Sequence, residues 1–140
     1  MLPINLVAVL VAAVAAFIIG FLMHGPVAGK LWMKLANVQR TGNEKFSGMY
    51  GQMFWNLVAN IVTAYGLAVV YLFDSTSSFG TGATLHSGLM SGVLVWLGFL
   101  VTATSIEVIW MKRSIKLWAF ECGSSLIVML AMGAIIASIK

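Results

Sequence analysis

The chain alternates between long apolar runs and short polar intervals. Four runs, roughly Ile4–Met23, Gly51–Phe73, Ser87–Met111 and Leu117–Ile139, occupy most of its length. Each is long enough for a helix to cross a hydrocarbon core about 30 Å thick, which takes about 20 mostly apolar residues. Lipid offers no water to backbone N–H and C=O groups, so only helices or closed barrels can span it. A barrel would show short alternating segments, and these runs are long and continuous. The pattern predicts an all-α fold: an integral membrane four-helix bundle forming one transmembrane domain over residues 1–140.

The polar intervals refine this picture. Between Gly25 and Tyr50, Pro26 suits the first turn of a helix, where a missing N–H costs little. Val27, Leu31, Leu35 and Val38 then recur at three- and four-residue spacing, with Lys30 and Lys34 off that face. This predicts a short interfacial amphipathic helix between spans one and two, with Trp32 at headgroup level. It should end near the Thr41-Gly42-Asn43 turn signal. A lid over an internal pocket is its alternative use. The interval from Asp74 to His86, DSTSSFGTGATLH, reads as a polar connector with no phosphate-loop spacing. Tyr50, Trp110 and Trp118 mark one membrane interface, and Tyr71 and Phe79 the other.

Within the spans, Ala12, Ala16 and Gly20 recur every four residues, and Gly88 and Gly92 repeat the spacing in the third. Small residues let neighbouring helices approach closely, because packing drives helix association in lipid. The neighbour can be in the same chain or in another subunit.

Composition agrees: hydrophobic residues make up 61% and charged residues 9%, against about 25% charged in soluble domains. The net charge of +4 does not point to nucleic acid, because the basic residues flank spans. Lys30, Lys34, Arg40 and Lys45 lie in the first interval, and Lys112, Arg113 and Lys116 in the third. With four spans these intervals share a side, and the positive-inside rule makes it cytoplasmic. Both termini are then outside, with Lys140 as the lone basic residue there, in a multi-pass membrane protein. No Lys or Arg precedes Lys30, so the first run reads as a retained span rather than a cleaved signal. The single cysteine, Cys122, excludes an internal disulfide.

Ionisable groups inside a span are costly and therefore candidates for function. Glu107 precedes Lys112 by five residues and Glu121 follows Lys116 by five, so a tight hairpin places both carboxylates at one depth. That depth is on the order of 8 Å, at about 1.5 Å per residue. His24 ends the first span, and Gln52 and Asn56 lie one turn apart at the start of the second. The candidate polar cluster is therefore His24, Gln52, Asn56, Glu107 and Glu121. Two carboxylates at one depth raise each other's proton affinity unless a cation intervenes, so a cation or proton site is one reading. The other is structural: Glu107 pairs with Lys112 or Arg113, and Glu121 with Lys116. No tight ligand spacing supports a metal. His24 and His86 fall on opposite faces, so no haem or other cofactor is expected.

Several segments together resemble a family of small four-span bacterial membrane proteins known as domain of unknown function 1761. NLVAVLVAAVAAFIIG running into GPVAGKLWMK is similar to its opening. GVLVWLGFLVTATS is similar to its third span, and KLW followed by MLAMGAII to its closing helix. The chain departs from that family's pattern where Met23 and His24 replace a Trp-Tyr pair. Glu121 replaces an Asn, and Ser124 and Ser125 an aromatic-His pair. The resemblance implies the four-span topology and no activity.

Two function classes follow. The small-residue stripes and tiny polar domains favour a non-enzymatic accessory or structural subunit, partnered by lipid and packed in a homo-oligomer or larger membrane complex. The carboxylates favour a homo-oligomeric ion- or proton-coupled transporter or channel. With no Ser/His/Asp arrangement, metal motif or phosphate loop, an enzyme is the least supported class.

Overall fold

A computed structural model describes residues 3–38, 49–77 and 82–139 of the protein. The described residues form five helices: α1 (Leu6–His24), α2 (Gly29–Ala36), α3 (Tyr50–Thr76), α4 (Leu85–Met111) and α5 (Ile115–Ser138). All except α2 are long and apolar enough to cross a membrane. The protein is a multi-pass helical membrane protein.

Local chemistry sets the helix ends within three residues of the sequence pattern. The Asn5 side chain accepts from the Val7 and Ala8 amides at 3.0 and 3.2 Å, so α1 starts at Leu6. Thr84 and Ser87 form a reciprocal capping box that starts α4 at Leu85. At the far end of α3, Ser75 and Thr76 donate to the Leu72 carbonyl at 3.0 and 2.7 Å, carrying the helix through Asp74. Lys112 turns left-handed (φ 53°) and its N–H bonds the Glu107 carbonyl, closing α4 and turning the chain into α5.

The interfacial helix is shorter than the sequence suggests. Gly25–Ala28 form a turn, so Pro26 precedes α2 instead of occupying its first turn. Asn37 adopts the left-handed conformation (φ 54°) and its N–H bonds the Met33 carbonyl, ending the helix before Val38. The face turned to the bundle carries Gly29, Trp32, Met33 and Ala36, while Leu31, Lys30 and Lys34 point away. The Thr41–Asn43 turn signal, Arg40, Lys45, Phe79 and Lys140 lie outside the described residues.

The apolar core lies toward the half of the bundle remote from the Lys/Arg-bearing connections. Val9, Ala12, Ala13 and Ala16 of α1 pack there against Ala64, Leu67 and Ala68 of α3 and Met129, Met132 and Ile136 of α5. The closest helix approach is between α4 and α5. A Cβ at Gly92 would stand 2.7 Å from the Met129 carbonyl, and Gly88 and Gly133 lie backbone to backbone. Gly88 and Gly92 thus pack inside the chain. Gly20 differs from the expectation: nothing lies within 4 Å of a Cβ built there, so only Ala12 and Ala16 of that stripe serve packing.

One feature of α4 has no sequence precursor. Trp96–Val101 form a π-helical segment with the extra residue per turn that this geometry carries. Its neighbouring carbonyls gain side-chain donors. Thr102 Oγ1 donates to the Gly98 carbonyl at 2.7 Å, and Thr104 Oγ1 to that of Leu100 at 2.7 Å. Such hydroxyls satisfy loosened backbone groups where lipid offers no water.

Candidate functional site

Where the core stops, a cleft of about 510 Å³ opens between α1, α3 and α5. The last two turns of α1 contribute Phe17, Gly20, Phe21 and His24. From α3 come Gln52, Met53, Asn56, Asn60 and Thr63, a set that recurs every three or four residues because one helix face turns inward. Glu121, Ser124, Ser125, Val128 and Met129 line it from α5, with Leu100 of α4 alongside. His24 ends α1, Gln52 lies in the first turn of α3 and Glu121 in the second turn of α5, so the three meet at the Lys/Arg-bearing end.

Four of the five expected polar residues therefore share one cleft. The fifth, Glu107, does not line it and is joined through Arg113. That guanidinium bonds Glu107 with Nη1 and Glu121 Oε1 with Nη2, the latter at 3.0 Å. The expected intervening cation is thus a residue of the chain. One Arg serves both carboxylates because the left-handed turn at Lys112 brings residue 113 back over the start of α5, between them. Among the described residues neither Lys112 nor Lys116 forms an ion pair. The Arg113 pKa is raised above its ordinary value, first by the hydrogen bond from its side chain to Glu107 and then by the charge of Glu121, against a lowering by burial.

On the opposite wall the amides form a ladder. Asn60 Nδ2 donates to both the backbone carbonyl and the side-chain oxygen of Asn56, at 2.9 and 2.8 Å. Thr63 Oγ1 donates to the Ala59 carbonyl at 2.9 Å. Polar groups thus run from the start of α3 to its middle. Ser124 is 4% exposed and lines the cleft, yet its hydroxyl has no hydrogen-bond partner among the described residues. Asn60, Thr63, Ser124 and Ser125 carry no charge, and in a single sequence nothing separates them from hydroxyls and amides that bond their own helix.

Aromatic rings pack on the His24 side chain at the end of α1. Its Nδ1 donates to the Gly20 carbonyl at 3.0 Å. Trp32 of α2 meets that ring edge-on at a centroid separation of 5.6 Å, and Phe120 does so at 6.0 Å. Trp32 thereby holds α2 beside the end of α1.

A second polar seam ties α4 to α5. Trp96 Nε1 donates to the Cys122 carbonyl at 2.9 Å and to Ser125 Oγ at 3.1 Å, and Trp118 Nε1 to Thr104 Oγ1 at 3.1 Å. The π segment lies between Trp96 and Thr104 and sets which face the second half of α4 presents. His86, exposed at the start of α4, lies at the opposite end of the bundle from His24.

Neither a curated protein nor a solved structure gives a significant match to the chain. Residues 7–137 match the family described as protein of unknown function (DUF1761), and the chain belongs to that family.

Proposed function

We propose that the protein is a non-enzymatic solute-binding component of membrane transport, acting as a homo-oligomer in the bacterial inner membrane. The cleft is its binding vestibule, opening to the cytoplasm. The observation that carries this reading is the polar ladder of Gln52, Asn56, Asn60 and Thr63 on the cleft wall, reaching the middle of a spanning helix. At that depth polar side chains turn toward a partner, a bundle interior or a water-filled cavity. A volume of about 510 Å³ falls within the roughly 300–1,000 Å³ of small-molecule sites. The basic residues Lys30, Lys34, Lys112, Arg113 and Lys116 flank the mouth, which supports a cytoplasmic opening.

The accessory-subunit reading also has an observation in its favour. Gln52 and Asn56 are exposed on α3, where a polar helix of another membrane protein would find hydrogen-bond partners. Ser124→Cys, made after Cys122→Ala, separates the two readings. A solute vestibule requires the new thiol to react with a small water-soluble maleimide, and native mass spectrometry to show copies of this chain alone. A protected thiol, together with a stoichiometric foreign subunit, overturns transport in favour of assembly.

A further inference from the structure

The charge around Arg113 does not balance, and this narrows what the vestibule takes. Two carboxylates, Glu107 and Glu121, share one guanidinium, and among the described residues no other cation pairs with either. The triad carries one net negative charge, and Glu121 is its member on the cleft wall. Independently, Ser124, one turn farther along α5, is 4% exposed as a residue and lines the same cleft, and its hydroxyl has no hydrogen-bond partner among the described residues. That hydroxyl is free to bond a ligand group in the cleft. Phe17 and Phe21 stand on the α1 wall of the same cleft and give it an apolar side.

We propose that the vestibule binds a small organic ammonium ion. Its charged group is held by Glu121 and Ser124, and its apolar part lies against Phe17 and Phe21. The inference rests on the solute-binding reading above and names the class of solute. A bare metal ion fits less well: among the described residues no three His, Cys, Asp or Glu side chains are grouped to hold one. An ammonium group supplies N–H donors to Glu121 and to the Ser124 oxygen, and the remaining volume takes a hydrocarbon body. Arg113 is then the resident competitor. A bound ammonium draws on Glu121, and Arg113 retains Glu107. Glu107, which does not touch the cleft, therefore governs affinity by occupying the guanidinium.

Isothermal titration calorimetry of the purified intact oligomer tests this with phenethylammonium and its neutral counterpart, phenethyl alcohol. The expected result is binding of the ammonium at least tenfold tighter than the alcohol, with that preference lost in Glu121→Gln. Glu107→Gln should weaken ammonium binding tenfold or more, because Arg113 then neutralises Glu121 alone. Arg113→Gln should strengthen it; where that variant does not fold, Glu107→Gln decides. Equal binding of both probes overturns the proposal and leaves a vestibule for neutral solutes, and a preference untouched by Glu121→Gln or Glu107→Gln overturns the placing of the charged group at the Glu121–Arg113–Glu107 triad. Binding of neither probe while Ser124→Cys reacts freely also overturns it and spares the open vestibule. A protected thiol removes the vestibule itself.

Discussion

Ser91 and Arg113 represent two ways of handling polarity where water is scarce. Ser91 is fully buried in α4 and its hydroxyl has no partner. An unsatisfied buried donor costs about 1–3 kcal/mol, whereas an apolar replacement of similar shape loses nothing. Ser91→Ala is therefore expected to stabilise the bundle by about 1 kcal/mol, read as a raised midpoint of unfolding in detergent; a lower midpoint would mean that the hydroxyl is in use. Arg113 is the opposite case, a partly exposed cation bonded to two carboxylates. A cation whose pKa is raised on folding contributes stability below its unfolded value and loses it only as pH climbs through the raised one. Since an unfolded arginine already holds its proton above about pH 12, the triad keeps its cation at every pH a membrane tolerates. Its chemistry is set by the number of carboxylates, not by titration of the guanidinium.

At the level of elements, glycines of the same type do different work, and only geometry separates them. Gly88 and Gly92 press α4 onto Gly133 and Met129 of α5, while Gly20 of α1 faces the open cleft. Gly88→Ala should destabilise the protein by about 1–3 kcal/mol through overpacking. Gly20→Ala should leave stability within about 0.5 kcal/mol, as a substitution away from any tight contact. Equal losses in the two variants would place α1 against a neighbour at Gly20. The contrast shows what was legible in the sequence. Four spans, the hairpin at Ser114 and a polar cluster at the basic end follow from hydropathy, loop charge and helical rise. All three depend on periods that survive in any neighbourhood. Sequence spacing cannot give the π segment, which moves the second half of α4 to a new face, nor which small-residue stripe meets a helix. In the structural reading, charge matching along the helix pairs Glu121 with Lys116, whereas the left-handed turn at Lys112 delivers Arg113 to it. Pro26 misled in the same way: it marks the break after α1, and the helix starts only at Gly29.

For the whole molecule, a tight apolar core stands between two open ends. Ala12, Ala13, Ala64 and Met132 are at 0% exposure; the cleft at the basic end lies on one side of them, and a second of about 500 Å³, lined in part by Asn5, Tyr71, Ser75 and Thr76, lies on the other. A transport cycle built on this chain must therefore part the alanine- and methionine-lined core, since the vestibule alone ends at Thr63 and Met129. Orientation decides which side the vestibule faces. Seven of the eight Lys/Arg lie in the two connections at its end, a bias strong enough to set a single topology. A single topology in turn makes every vestibule of a homo-oligomer open to the same side, related by an axis along the membrane normal. In a Cys122→Ala background, Thr84→Cys should react with a membrane-impermeant maleimide in cells with a permeabilised outer membrane. Lys34→Cys should react only after the inner membrane is also opened. The reverse pattern would turn the vestibule outward. Equal labelling of both sites would mean that copies insert both ways up, and the vestibules of an oligomer would then open to both sides of the membrane.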